Sequence, residues 1–189
     1  MEKFKIALLS MSILIAAQSF GQKESKKTSS GGTTFSIGAE TALPVGKDLK
    51  DGWSFGIGGS AKAAINIFDG GDVTLSAGYI SFIGKTETIT VLGQSTTFKN
   101  KALGTIPLKA GLRFKLGEGF YGEPQLGYTI AKVIGSSDNG NGFTYAGGIG
   151  YMASGVDLSV RYEAWTKSEN GDTFSPSFIG LRVAYNFGK

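Results

Sequence analysis

The feature that most constrains this sequence is a two-residue alternation of apolar and polar side chains, which recurs in eight runs between Phe35 and Phe187. Alternation at that period gives a β-strand one apolar and one polar face. No segment after Gly32 shows the 3.6-residue period of a helix. The first run sets Phe35, Ile37, Ala39, Thr41 and Leu43 against Ser36, Gly38, Glu40 and Ala42. The second runs from Trp53 to Ile67, with Ser54, Gly56, Gly58, Ser60, Lys62, Ala64 and Asn66 on its polar face. The third, Val73 to about Ile83, alternates least cleanly. In the fourth, Ile106 to Leu116 are interleaved with Thr105, Pro107, Lys109, Gly111, Arg113 and Lys115. In the fifth, Phe120, Pro124, Leu126, Tyr128 and Ile130 oppose Tyr121, Glu123, Gln125, Gly127 and Thr129. The sixth offers Phe143, Tyr145, Ile149 and Tyr151 against Thr144, Ala146, Gly148 and Gly150. The seventh sets Val156, Leu158, Val160, Tyr162 and Ala164 against Asp157, Ser159, Arg161 and Glu163. The eighth sets Ile179, Leu181, Val183, Tyr185 and Phe187 against Phe178, Gly180, Arg182, Ala184 and Asn186.

The connections have their own rhythm. Residues 44–52, 84–102, 132–142 and 166–176 are long and polar, whereas 69–72, 117–119 and 152–155 are short and contain glycine. Short turns at one end and longer loops at the other are expected of a barrel that crosses an outer membrane. Each run is long enough for a tilted strand to cross the hydrocarbon layer. The pattern predicts an all-β fold, an eight-stranded antiparallel up-and-down transmembrane β-barrel over residues 33–187. The even strand count brings both termini to the periplasmic side.

A soluble β-sandwich also alternates, so three further features decide. The first is a secretion address without disulfides. Lys3 and Lys5 precede an apolar stretch from Ile6 to Ala17, and Ser19-Phe20-Gly21 place small residues ahead of a cut before Gln22. That stretch is shorter than the ~20 residues a spanning helix needs. Residues 1–21 therefore read as a signal peptide, and residues 22–32 as a flexible polar tail. The chain has no cysteine. The second feature is charge in mid-strand on the polar faces: Glu40, Lys62, Lys109, Arg113, Glu123, Arg161, Glu163 and Arg182. The third is aromatic residues near strand ends. Phe68, Phe114, Phe120, Tyr151, Tyr185 and Phe187 fall on the turn side, and Trp53, Tyr128, Phe143 and Trp165 toward the loop side. Girdles at both interfaces are a barrel signature.

An eight-stranded barrel is just filled by its own side chains. The eight charges are therefore expected to pair inside it as a lumen network, since unpaired charge away from water is costly. Gly38, Gly56, Gly58, Gly111, Gly127, Gly148 and Gly150 would make room for them.

Three segments carry a family likeness. FYGEPQLGYTI (120–130), VDLSVRYEAW (156–165) and FIGLRVAYNF (178–187), with TIPLKAGLRF (105–114) in the same style, resemble the small outer-membrane β-barrels of the OmpA/OmpX type, in their Bacteroidetes form. The resemblance covers about 33–187. It implies a location in the outer membrane of a Gram-negative cell and contact with its lipid. It also implies insertion by the barrel assembly machinery, which reads a terminal aromatic residue. That residue would be Phe187, which Gly188 and Lys189 follow here.

The residues argue against catalysis. The chain has no histidine and no cysteine, which removes the usual serine and thiol mechanisms and the usual zinc sites. Glu40, Glu123 and Glu163 could form a carboxylate pair for glycoside chemistry, but cationic neighbours would hold them as carboxylates. Two G-x-G-x-x-A stretches, at 56–61 and 148–153, lack the following helix of a dinucleotide site. Asp69-Gly70-Gly71-Asp72 reads as a tight turn rather than a calcium loop. No cofactor or metal is expected. The formal net charge of +4 falls to +3 once Lys3, Lys5 and Glu2 leave with the signal peptide. That excess is too mild and too scattered for nucleic acid.

The long connection 84–102 is the most informative. TETITVLGQSTTF (86–98) alternates and contains Gly93-Gln94, so it reads as a hairpin protruding beyond the barrel. An exposed strand edge can recruit another chain by strand addition. Lys47, Lys50, Lys85, Lys99, Lys101 and Lys167, in or near the long loops, are placed to meet lipid phosphates. The expected protein is a monomeric, non-catalytic outer-membrane barrel with a structural or surface-contact role, its extracellular partner met through 84–102. The alternatives are a narrow transport or small-ligand barrel, and a soluble periplasmic lipocalin-like barrel.

Overall fold

The computed structural model describes residues 32–68, 70–91, 94–136, 139–169 and 172–187. The expected signal peptide and all of the tail but Gly32 lie outside them. Eight long strands form the barrel: β1 (Thr33–Pro44), β2 (Trp53–Phe68), β3 (Gly71–Gly84), β6 (Leu103–Gly117), β7 (Phe120–Val133), β8 (Gly142–Ala153), β9 (Val156–Glu169) and β11 (Ser177–Phe187). Each pairs antiparallel with its neighbour in the chain, and β11 returns to β1 from Phe35↔Phe187 to Pro44↔Phe178. That last pairing closes the sheet. Closure gives every spanning strand a partner on both sides, the condition for a strand to lie in hydrocarbon. The minor elements sit at the loop end. They are a one-turn helix α1 (Lys47–Lys50), a separate two-stranded sheet of β4 (Thr86–Val91) and β5 (Gln94–Lys99), and the short β10 (Asp172–Phe174) on the end of β9.

The faces of the barrel are inverted relative to a soluble protein. Apolar side chains project outward all round the wall, among them Ile37, Ile57, Leu126, Ile149 and Leu181, while charged and hydroxyl side chains are buried inside. So much exposed apolar surface is rare on soluble monomers and suits lipid as the solvent. At the turn end the aromatics gather into pairs on the outer wall. Phe68 meets Phe114 at 6.2 Å, Phe120 meets Tyr151 at 4.8 Å and Tyr185 meets Phe187 at 5.0 Å between ring centroids. Tyr128 and Phe143 stand on the outer wall toward the loop end.

The two tryptophans correct the expected loop-side girdle, because neither faces lipid as an anchor. Trp165 is only 2% exposed. It shares the inward parity of Glu163, and its indole nitrogen donates to the Gly140 carbonyl at 3.0 Å. Trp53 is displaced by a register shift between Trp53 and Phe55. Its ring packs against the same buried cluster as Trp165, and its nitrogen donates to the Lys101 carbonyl. A buried indole needs such an acceptor.

That cluster explains the blurred third run. Below Gly78 the inward face of β3 is polar (Asp72, Thr74, Ser76), and above it the face is apolar, with Ile80 and Phe82 fully buried. Together with Ala42, Leu49, Leu103, Ala131, Trp165 and Phe178 they form an apolar plug at the loop end of the lumen. The helix α1 drops Leu49 into this plug. Asp48 of the same turn accepts a hydrogen bond from the Ser175 backbone at 2.6 Å, which ties α1 to the segment before β11.

The short turns follow from chirality. Glu118-Gly119 and Ser154-Gly155 both have positive φ at each position, 46° and 87° in the first and 49° and 82° in the second. That is the two-residue turn whose twist matches antiparallel strands, and a glycine at its second position makes it accessible.

Candidate functional site

The lumen below the plug holds all eight of the charges singled out in the sequence. Each stands on an inward position of a long strand: Glu40 on β1, Lys62 on β2, Lys109 and Arg113 on β6, Glu123 on β7, Arg161 and Glu163 on β9, and Arg182 on β11. The structure adds a ninth, Asp157 near the start of β9, which is completely buried. The nine form one alternating chain of cation and anion. Lys62 meets Glu123 at 2.8 Å, and Glu123 meets Arg113 at 3.4 Å. Arg113 meets Asp157 at 3.5 Å, and Asp157 meets Arg182 at 3.2 Å. Arg182 meets Glu40 at 3.6 Å, and Glu40 meets Arg161 at 2.7 Å. Arg161 meets Glu163 at 2.8 Å, and Glu163 ends the chain on Lys109. Each of the four carboxylates therefore sits between two cations, and the chain begins and ends on a lysine.

Neutral side chains complete the coordination that buried charges need. Glu123 accepts from Thr74 at 2.7 Å and Gln125 at 2.8 Å. Glu40 accepts from Ser60 at 2.5 Å, whose oxygen in turn accepts from Arg182 at 2.9 Å. Arg182 also donates to Ser36. Tyr121 donates to Asp157 at 2.5 Å, and the Arg113 guanidinium lies 4.3 Å from the centre of the Tyr121 ring, a cation–π contact. At the turn-end mouth a separate pair joins Lys115 to Asp72 at 3.6 Å, and Asn66 donates to Asp72.

Glycines make this density reachable. A Cβ on Gly150 would lie 2.2 Å from the Tyr121 ring, and one on Gly148 would lie 2.7 Å from Arg161. Among the ion chain itself a cavity of about 30 Å³ remains, bordered by Ser76, Lys62, Lys109 and Arg161 among others. That holds on the order of one or two water molecules. Among the described residues Ser76 Oγ and Arg113 Nε are buried without a hydrogen-bond partner, and a water is the size of group that fits beside Ser76, which borders this cavity. No carboxylate in the lumen chain lacks a cation, and Ser159 borders the cavity as its neighbours Arg161 and Glu163 bond elsewhere.

Reading the sequence missed three kinds of residue here. Asp157 lies one position into its strand, so a search for mid-strand charge passed it over, although its parity with Arg161 and Glu163 marks it as inward. Tyr121, Ser36, Ser60, Thr74 and Gln125 carry inward parity and no charge, so only the register reveals their partners. The apolar plug had no polar signature at all. The structure places Phe187 at the end of β11, on the outer wall opposite Phe35.

Comparison with known proteins bears on the whole barrel. The profile of the outer membrane protein beta-barrel domain matches residues 6–187. A search of curated proteins gave no match. Among solved structures, Ail, the attachment invasion locus protein of Yersinia pestis, in complex with the heparin analogue sucrose octasulfate, is similar at 16% identity and a TM-score of 0.53, over 84% of this chain and 100% of that one. The N-terminal β-barrel domain of Pseudomonas aeruginosa OprF is similar at 16% identity and 0.51, over 83% of this chain and 99% of that one. OprG of the same organism is similar at 12% and 0.52, over 85% of this chain and 97% of that one. At these identities the likeness speaks for the shared fold. The inverted faces, the closed eight-stranded sheet and the match over nearly the full length agree: this chain belongs to the outer membrane protein beta-barrel domain family and sits in the outer membrane.

Proposed function

We propose that this barrel is a non-catalytic surface-contact protein, with the loop end outside the cell and the β4–β5 hairpin as its contact element. The observation that carries the reading is the separation of β4 and β5 from the barrel sheet. Thr86↔Lys99 to Val91↔Gln94 pair with each other, and among the described residues neither strand pairs with the barrel. A two-stranded ribbon has an edge on each side, and an edge is where a partner strand adds. Its Thr88 and Thr97 side chains bond across the ribbon at 3.2 Å, a cross-strand pair that holds the hairpin shape. The tip of this hairpin lies outside the described residues.

The rest of the reading follows from the lumen. The ion chain and the plug block its middle, which supports a structural interior over a transport path. The absence of histidine and cysteine, with every network carboxylate between two cations, supports a barrel without catalysis. Residues 1–21 serve as the secretion signal, 22–32 as a polar tail, and Phe187 as the residue read by the assembly machinery. The barrel acts as a monomer.

Two linked measurements test this. Protease added to intact cells should cut within residues 84–102 and leave the strands protected. Cells carrying a variant with 87–98 replaced by a short glycine turn should adhere to a protein-coated surface no better than cells lacking the protein, at equal barrel abundance. Protection of 84–102 in intact cells, or full adherence of the hairpin-less variant, overturns the reading.

A further inference from the structure

Above the plug, the loop end contains a half-open cup of about 440 Å³ that the surface-contact reading leaves unused. Its volume is within the range of small-molecule sites. The wall is apolar and aromatic: Trp53, Trp165, Leu103, Val133 and Phe174, with Leu49 of α1 at its floor. Below Leu49 the packed rings of Phe82, Phe178 and Trp165 separate the cup from the ion chain. The cup is therefore blind, a place where a molecule is held rather than passed.

The polar atoms of the wall define what it can hold. Both indole nitrogens are already committed, Trp53 to the Lys101 carbonyl and Trp165 to the Gly140 carbonyl, each at 3.0 Å. What either tryptophan offers the cavity is ring surface alone. The rim carries Lys47 and Lys167 against Asp48 and Asp51, so it has no excess of either sign. A charged occupant gains nothing there, whereas a flat apolar ring gains stacking contact on aromatic walls. The geometry points to this cup as a binding site for a small, neutral, planar aromatic molecule.

The chain has two tryptophans, and both line the cup, so all of its tryptophan emission reports on this site. The probe is 4-nitrobenzyl alcohol, a neutral planar quencher, titrated into the full barrel reconstituted in lipid nanodiscs. Quenching should saturate along a hyperbola. Val133→Glu, which puts a charge into the apolar wall, should weaken the apparent affinity by about tenfold or more. Phe174→Ala lies in the exposed β10 segment and should weaken it a few-fold, which keeps the test available if the first variant does not fold. Folding of each is checked by heat-modifiable gel mobility. Linear quenching with no saturation, or saturation unchanged in the folded variants, overturns the proposal.

Discussion

Replacing Glu163 with leucine should destabilise the barrel by about 3–5 kcal/mol, the cost of leaving a buried charge without its partner. The magnitude follows from position in the ion chain. Lys109 stands at its end, and among the described contacts Glu163 is its only carboxylate. Arg161, on the other side, keeps Glu40 at 2.7 Å. The single substitution therefore strands one buried ammonium and leaves the rest of the chain paired. The double variant Lys109→Met/Glu163→Leu removes the terminal pair as a unit and should recover most of the loss, because replacing a buried pair with apolar groups is often close to neutral. Urea-induced unfolding in lipid vesicles measures both. A single variant as stable as the parent, or a double variant no better than the single, would show that the pairing is not what holds this part of the lumen.

Truncating the plug should cost a similar amount. Phe178→Ala removes a ring that packs edge-on against Phe82 at 5.5 Å and Trp165 at 6.4 Å, and it should destabilise the barrel by about 3–5 kcal/mol. Phe178→Leu, which keeps most of the volume, should cost less than about 1.5 kcal/mol. The ring also lies 5.9 Å from the Arg161 guanidinium, so it separates the last charges of the network from the cup above. Its loss lets water down toward Arg161, and the tryptophan emission of the folded alanine variant should shift to the red. Unchanged emission and stability would mean that the loop end is not sealed by these rings.

The wall of the barrel was legible residue by residue because lipid and lumen impose opposite demands on alternate positions. Where both demands are uniform, as in β9 from Val156 to Glu163 or β11 from Ile179 to Arg182, parity alone assigns each face. Where the lumen itself changes character, parity loses its contrast. In β3, Ile80 and Phe82 turn inward beside the outward Tyr79 and Ile83, so both faces are apolar over that stretch and the run looks irregular. Trp165 shows a different failure. Its position near a strand end suggested an interface anchor, while its parity with Glu163 placed it inside, and parity was the stronger constraint. Trp53 was not recoverable either way, because a register shift beside Phe55 reverses the rule. The pairing order of the ion chain was also hidden. Lys62 on β2 reaches Glu123 on β7, and Lys109 on β6 reaches Glu163 on β9, between strands that do not pair with each other, and those contacts depend on the closed curvature of the wall.

The central claim is that this outer-membrane barrel is blocked, by an alternating ion chain below and an apolar plug above, and acts through its outer end. Single-channel recording of the purified protein in planar lipid bilayers tests it most directly. The account predicts no steady or stepwise conductance at either polarity. Discrete, reproducible current steps would contradict it, because they would require an open path through the plug and through the ion chain, where the structure leaves room for only a water or two.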